Sequence, residues 1–412
     1  MKIPSVLLTL SLTLLASTQA EDWKVWRGPH ANGHASDSAK PPLEWAETKN
    51  ITWKVPVPGR AHASPTVCSD HILLAFAAED SQIQGVVSYS RETGEQQWRT
   101  DIHKGGFPDQ IHKKNTHGSS TVATDGKRAF AIFFNSGSVS LTSLDLTSGA
   151  KLWQVNVGAF TPKYKFGFGS SPILHQGKII VTAEFEKKGY IAAFSTDDGR
   201  EIYRIPRTAG TSYSTPIVAP VGGREQLIIS GQSAVSSYDP TTGKKLWQVP
   251  CSSPATCGTA VWSGDLIFTS GGYPNKETNA VRATAPHEVV WRNGEKCYEQ
   301  SMLVVNGHLY GMNDNGIAFC WDAQTGEEQW KHRFRGPVSA SPIFAGGHIY
   351  LTNEQGTTWV LEPNAKQMTL VATNQLGEEG FATPTFVENT VFIRTASFVK
   401  GQRQEFLYRI EE

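Results

Sequence analysis

The 412-residue chain carries 38 basic and 38 acidic side chains, so no net charge draws it toward nucleic acid or an anionic membrane. Only 18% of residues are charged, while 38 glycines, 22 prolines and 12 tryptophans mark a turn-rich, aromatic, globular chain and exclude a coiled coil or a disordered one. Length alone allows two or three domains, but all-β barrels and propellers grow large as single units.

Residues 1–20, MKIPSVLLTLSLTLLASTQA, join one lysine to an apolar run from Val6 to Ala16 and end on small residues at Thr18 and Ala20. That order reads as an export signal cleaved near Ala20, giving a mature chain in a periplasm or outside the cell. The run is shorter than the roughly 20 apolar residues of a spanning helix, and no cysteine near Ala20 offers a lipid anchor. Residues 21–49 form a leader containing WKVWRGPHANGH. Trp23 and Trp26 are expected to pack across the base or rim of the domain C-terminal to them, with Arg27 and a Gly28-Pro29 turn anchoring the segment; the alternative makes Arg27, His30 and His34 line a pocket.

From Asn50 onward the chain repeats. SYSRETGEQQW ends at Trp98, SLDLTSGAKLW at Trp153, SYDPTTGKKLW at Trp247 and CWDAQTGEEQW at Trp330. Weaker copies end at Tyr203, Trp291 and Leu370, giving intervals of 55, 50, 44, 44, 39 and 40 residues, each enough for one four-stranded blade. A second marker, Ser/Thr-Pro before an apolar run, opens units at Ser64, Ser171, Thr215, Ser341 and Thr383; HGSSTV, CGTAV and QSMLV hold the same place without proline. Eight starts but seven complete ends are present. NITWKVPV, residues 50–57, supplies the missing outer strand, so residues 50–412 are expected to form an all-β, eight-bladed propeller of four-stranded antiparallel blades. Its ring closes when this N-terminal strand pairs with the last blade, removing an exposed edge.

The aspartate and Thr-Gly of each copy read as a turn, the aspartate accepting backbone hydrogen bonds and the glycine supplying positive φ. The terminal aromatic is expected between neighbouring blades. These recurrent acids are therefore scaffold. Five cysteines with no C-x-x-C spacing are expected mainly as buried thiols, with Cys257 and Cys297 the pair to test for a disulfide.

These repeats resemble the A-x-D-x-x-T-G-K-x-x-W unit of the PQQ-like (pyrroloquinoline-quinone repeat) β-propeller superfamily, which includes quinoprotein dehydrogenases and BamB-like assembly factors. DWKVWRGPHANGHAS, residues 22–36, is similar to the WRGP opening of secreted PQQ-like proteins of Planctomycetes and related bacteria. The resemblance implies the propeller fold over about residues 50–412 and leaves function open. The adjacent cysteine pair of the quinoprotein alcohol dehydrogenases is absent, as is the N-terminal lipid-bearing cysteine of BamB-like factors. No cofactor and no metal are expected; PQQ with calcium is the alternative.

Propeller geometry places the connections between blades beside the central channel, and these carry basic and aromatic residues. The ligand-binding candidates are Arg60, His112, Lys113, Lys114, Tyr164, Lys165, Phe168, Arg207, Tyr213, Lys296, Tyr298, Arg333 and Arg335. They imply a cationic, aromatic mouth for an anionic or sugar ligand. The spacing of His103, His112 and His117 fits no established metal motif. If the protein is an enzyme, His62, His117, Tyr213 and Glu299 are the acid/base candidates, provided two of them converge. GGYPNKETN, residues 271–279, lacks the lysine and serine/threonine placement of a P-loop, and NDNG, residues 313–316, reads as a turn. The functional expectation is an exported ligand-binding or protein-interaction scaffold, monomeric, with an envelope or secreted protein partner or a small ligand; a divergent quinoprotein oxidoreductase or polysaccharide-active enzyme is the alternative.

Overall fold

Alternation separates the strands of this chain into two kinds. Second strands such as His71–Ala78 and Arg128–Asn135 are buried over nearly their whole length, whereas outer strands such as Ile51–Val57 and Lys151–Ala159 alternate between exposed and covered positions. The first kind is packed on both faces and the second on one. In the computed structural model, which describes residues 22–185, 188–207 and 210–412 apart from the Tyr164 side chain, they assemble into an eight-bladed β-propeller. The expected export signal, residues 1–20, lies outside the described residues.

Seven blades are meanders over residues 66–104, 123–159, 173–207, 217–250, 261–293, 303–333 and 343–375, each with its four strands in sequence order. The eighth runs outward through Thr385–Val387, Thr390–Val399 and Gln402–Ile410 and is completed by Ile51–Val57, which pairs antiparallel with Gln402–Ile410, Val55 opposite Leu407. The N-terminal strand thus closes the ring as the count of repeat ends required.

The repeat motif owes its composition to an interlock between blades. Asp322 Oδ1 accepts the amides of Gln324 and Thr325 at 2.9 and 2.8 Å and the Thr325 hydroxyl at 3.0 Å, which folds the turn and holds the carboxyl below its ordinary pKa. Gly326 follows at φ +74°. A Cβ there would meet the Trp291 ring of the preceding blade at 2.5 Å, and the Trp291 indole donates to Ala323 O at 2.9 Å in the same turn. The same dock recurs between Trp98 and the Leu146–Gly149 turn, and between Trp53 and the Glu92–Gly94 turn across the closed seam. Trp247 is the exception. Blade five has no Thr-Gly in its turn, and Trp247 instead donates to Gln226 at 2.7 Å and stacks on His287. In blade seven the ladder corrects the expected alignment: after a register shift Ala372 faces Val360, as Trp330 faces Cys320, so Ala372 and not the exposed Leu370 holds the aromatic's place.

The leader crosses the end of the ring where the innermost strands terminate. Trp23 bridges to Val67, His34 Nε2 bonds Val304 O at 2.8 Å, Ala35 bonds Phe344 O, and Trp45 stacks on Tyr350. Arg27 is 1% exposed and spans Asn32 O and Met302 O at 3.0 and 2.7 Å; burial pushes its pKa down to about 9. Packing is therefore what most of this motif does. All five cysteines are free thiols, including Cys257 and Cys297.

Candidate functional site

The Ser/Thr that opens each blade sits at the inner end of the first strand, and eight such positions converge on the channel. Their side chains form two arcs of hydrogen bonds around it, six links in all, while Ser64 Oγ has no partner among the described residues. The amides of Ser64, Thr121 and Ser171 donate to the hydroxyls of Thr121, Ser171 and Thr215 at 3.1, 3.0 and 2.9 Å. Those of Thr259, Ser301 and Ser341 donate to Ser301, Ser341 and Thr383 at 3.0, 2.9 and 2.9 Å. Thr259 Oγ1 accepts the Trp26 indole at 3.0 Å instead. Among the described residues these hydroxyl oxygens accept but their protons have no acceptor, so a ring of buried donors is directed at the channel.

Above this belt lies a cavity of about 210 Å³, with Trp26 among its lining residues. Its walls come from the connections between blades: His62, His112, Phe166, Tyr213, Tyr298 and Phe381. His62 stacks on Phe381 at 4.3 Å between ring centroids, and its Nε2 is enclosed without a partner among the described residues. Burial, reinforced by the charges of Arg60, Arg394 and Arg403, holds the His62 pKa well below its ordinary value, so the ring is neutral.

One charged cluster faces this cavity. Lys114, from the loop between blades one and two, reaches Glu354 Oε1 at 2.9 Å and Glu299 Oε2 at 3.4 Å on the far side of the mouth. Ser339 Oγ lies 2.7 and 2.6 Å from the same two oxygens. A hydroxyl carries one proton, so it donates to only one of them. The second contact closes when the other carboxyl is protonated and donates to Ser339. Burial first, with the neighbouring Asp314 and Glu354 charges, raises the Glu299 pKa against the opposing pull of Ser339 and Lys114.

The structure brings His62, His112, Lys114, Tyr213, Tyr298 and Glu299 to one cavity. The other candidates stand elsewhere. His117 lies behind the wall, packed on Phe107, and lines a separate small cavity. Arg207 is buried in an ion pair with Glu184 between blades three and four, and Phe168 is buried in the apolar core beside Phe160. Lys296 pairs with Asp314 at 3.0 Å over the Tyr298 ring, and Lys165 bonds Gln110. Arg60 bonds Lys113 O at 3.0 Å and borders a different, shallower depression. Lys113, Arg333 and Arg335 are exposed and do not line the cavity. The side chain of Tyr164 lies outside the described residues. Of the expected lysines and arginines only Lys114 lines this cavity, which otherwise presents aromatic faces, hydroxyl donors and the Glu299 carboxyl.

Sequence reasoning missed Glu354, Ser339, Phe381 and the hydroxyl belt. The belt had a signal, the recurrent Ser/Thr at each blade start, which marked the repeat without disclosing that the eight side chains meet. Gly272 packs directly against Tyr298, which accounts for the glycine-led loop in blade five; Asn313 Oδ1 caps its own turn through the Asn315 and Ile317 amides at 3.0 Å each. Among the described residues no group of three or more His, Cys, Asp and Glu is placed to hold a metal ion.

The family described as outer membrane protein assembly factor BamB matches residues 43–165, 83–331 and 231–397. The outer membrane protein assembly factor BamB of Burkholderia pseudomallei is 24% identical over 200 residues, 48% of this chain and 46% of that protein, so the match spans less than half the relative's length. BamB from Moraxella catarrhalis superposes with a TM-score of 0.60 at 15% identity, covering 87% of this chain and 96% of its own. The quinohemoprotein alcohol dehydrogenase of Comamonas testosteroni superposes with a TM-score of 0.68 at 13% identity, covering 95% of this chain and 80% of its own. Likeness at that identity extends to the fold alone.

Proposed function

This chain belongs to the family of outer membrane protein assembly factor BamB, and from that premise we propose that it is an exported, non-catalytic binding scaffold that takes a polyhydroxylated, sugar-like ligand at the mouth of its channel. The observation that carries this reading is the belt of buried hydroxyl donors beneath aromatic walls. Saccharides present lone pairs around their rim and apolar C–H faces on each side, which hydroxyl donors and aromatic rings match. At about 210 Å³ the cavity is smaller than drug-sized pockets and suits a compact ligand. Export, with an envelope protein as partner on another surface, belongs to the same proposal; it is supported by the N-terminal signature of the sequence and by the names of the relatives.

A quinone cofactor with a divalent cation is poorly matched by these residues. Glu299 and Glu354 are the two carboxyls that would face a cation, and no third metal-ligating side chain of the described residues joins them. Thermal melts with PQQ and calcium are therefore expected to show no stabilisation.

The direct test is calorimetry against a panel of neutral, amino and acidic mono- and disaccharides. At least one is expected to bind, and Thr215→Val or Tyr298→Ala is expected to weaken it by about tenfold, in keeping with about 1–2 kcal/mol for one hydrogen bond or stacking face. Silence across the whole panel would sink the reading.

A further inference from the structure

The ammonium of Lys114 occupies a seat built entirely by other blades. Glu299 precedes blade six, while Ser339 and Glu354 belong to the approach to blade seven and its second turn. Lys114 arrives from the opposite side, 185 and 240 residues away in sequence from the two glutamates. We infer that this seat recognises a primary ammonium on the ligand and that Lys114 is its resident stand-in, displaced when an amine-bearing saccharide enters. The inference rests on the saccharide reading above and adds its class.

Three observations support it beyond the carboxyl pair itself. The seat opens on the cavity, so a group held there lies directly over the hydroxyl belt; Thr215, Ser301 and Ser341 are each at least nine-tenths buried, and their protons have no acceptor among the described residues. The nearby charges are unequal: Glu299, Glu354 and Asp314 stand against Lys114 and Lys296, which favours a cation over an anion. Tyr298 and Phe381 add electron-rich faces, and Tyr298 already carries the Lys296 ammonium 4.9 Å from its ring centre. Displacement exchanges one ammonium for another at the same carboxyls, so the pairing given up with Lys114 is regained with the ligand.

Calorimetry on the full mature chain with glucosamine, glucose and N-acetylglucosamine tests this. Wild-type protein is expected to bind glucosamine more tightly than the other two. Lys114→Ala empties the seat and is expected to tighten glucosamine roughly tenfold relative to glucose, the effect of removing an internal competitor. Lys114→Met provides the same comparison should the alanine variant fold poorly. Glu354→Gln is expected to abolish the preference for the amine while glucose binding persists. Glucose bound as well as glucosamine, in wild type and in both lysine variants, overturns the amine seat and leaves the saccharide reading standing. Failure of every sugar to bind overturns both.

Discussion

Ser339 has one proton to share between two carboxyls, and that imbalance makes the stability of the mouth pH-dependent. Glu299 has its folded pKa raised, with burial the largest cause. A carboxyl of this kind contributes stability that is fully present below its unfolded pKa and is lost as pH rises through the raised folded value. Glu299→Gln keeps a donor toward Ser339 at every pH. It is expected to match wild type near pH 4 and to exceed it by about 1 kcal/mol at neutral pH in urea denaturation; a variant weaker than wild type at both values would show that burial does not disfavour the Glu299 anion. Arg207 behaves differently because it is paired below solvent reach. Glu184 is almost fully buried beside it, so Arg207→Met is expected to cost about 3–5 kcal/mol by leaving a carboxylate unpaired, and the double change with Glu184→Met to cost less than Arg207→Met alone.

The element that transmits order around the ring is the turn glycine under the neighbouring blade's aromatic. Gly326 and Gly307 both have positive φ, +74° and +77°, yet a Cβ at Gly307 meets nothing within 4 Å while one at Gly326 strikes Trp291. Gly307→Ala is therefore expected to cost about 1–2 kcal/mol from backbone conformation alone. Gly326→Ala should cost about 1–3 kcal/mol more, because Trp291 must leave its place. Equal losses in denaturant titrations would refute the interlock. The repeat was legible in the sequence for this same reason: one physical contact, made again from blade to blade, writes the same spacing of aspartate, glycine and tryptophan each time. Where the contact is absent the spacing blurs, as in blade five, and where the aromatic is replaced, as at Ala372, sequence alignment slips by two residues. The site left a fainter trace. Lys114, Glu299 and Glu354 meet because their blades stand around one axis, and radial convergence has no period along the chain.

Closure decides whether the eight blades behave as one ring. The last blade obtains its outer strand from the other end of the described chain, so Gln402–Ile410 becomes a bare edge whenever Ile51–Val57 is released. Pro56 already occupies that outermost strand, which is tolerable only if its nitrogen faces away from the ladder. Successive residues of a strand alternate in direction, so Lys54 shares the outward phase of Pro56, and the Val55 amide points inward toward the strand carrying Leu407. Val55→Pro is then expected to break the seam, costing about 3 kcal/mol or more. An unpaired edge templates further pairing, so this variant should also elute as larger, concentration-dependent species in size-exclusion chromatography with light scattering. Lys54→Pro leaves the ladder bonded and gives up only an exposed ion pair to Glu47 and contacts with Phe406 and Tyr408. It is expected to retain the wild-type elution volume with a smaller loss of stability. If both variants elute as wild type, the terminal strand is a cover on an already stable ring; if only Val55→Pro assembles, the strand is the closure that keeps an eight-bladed sheet from acting as an open one.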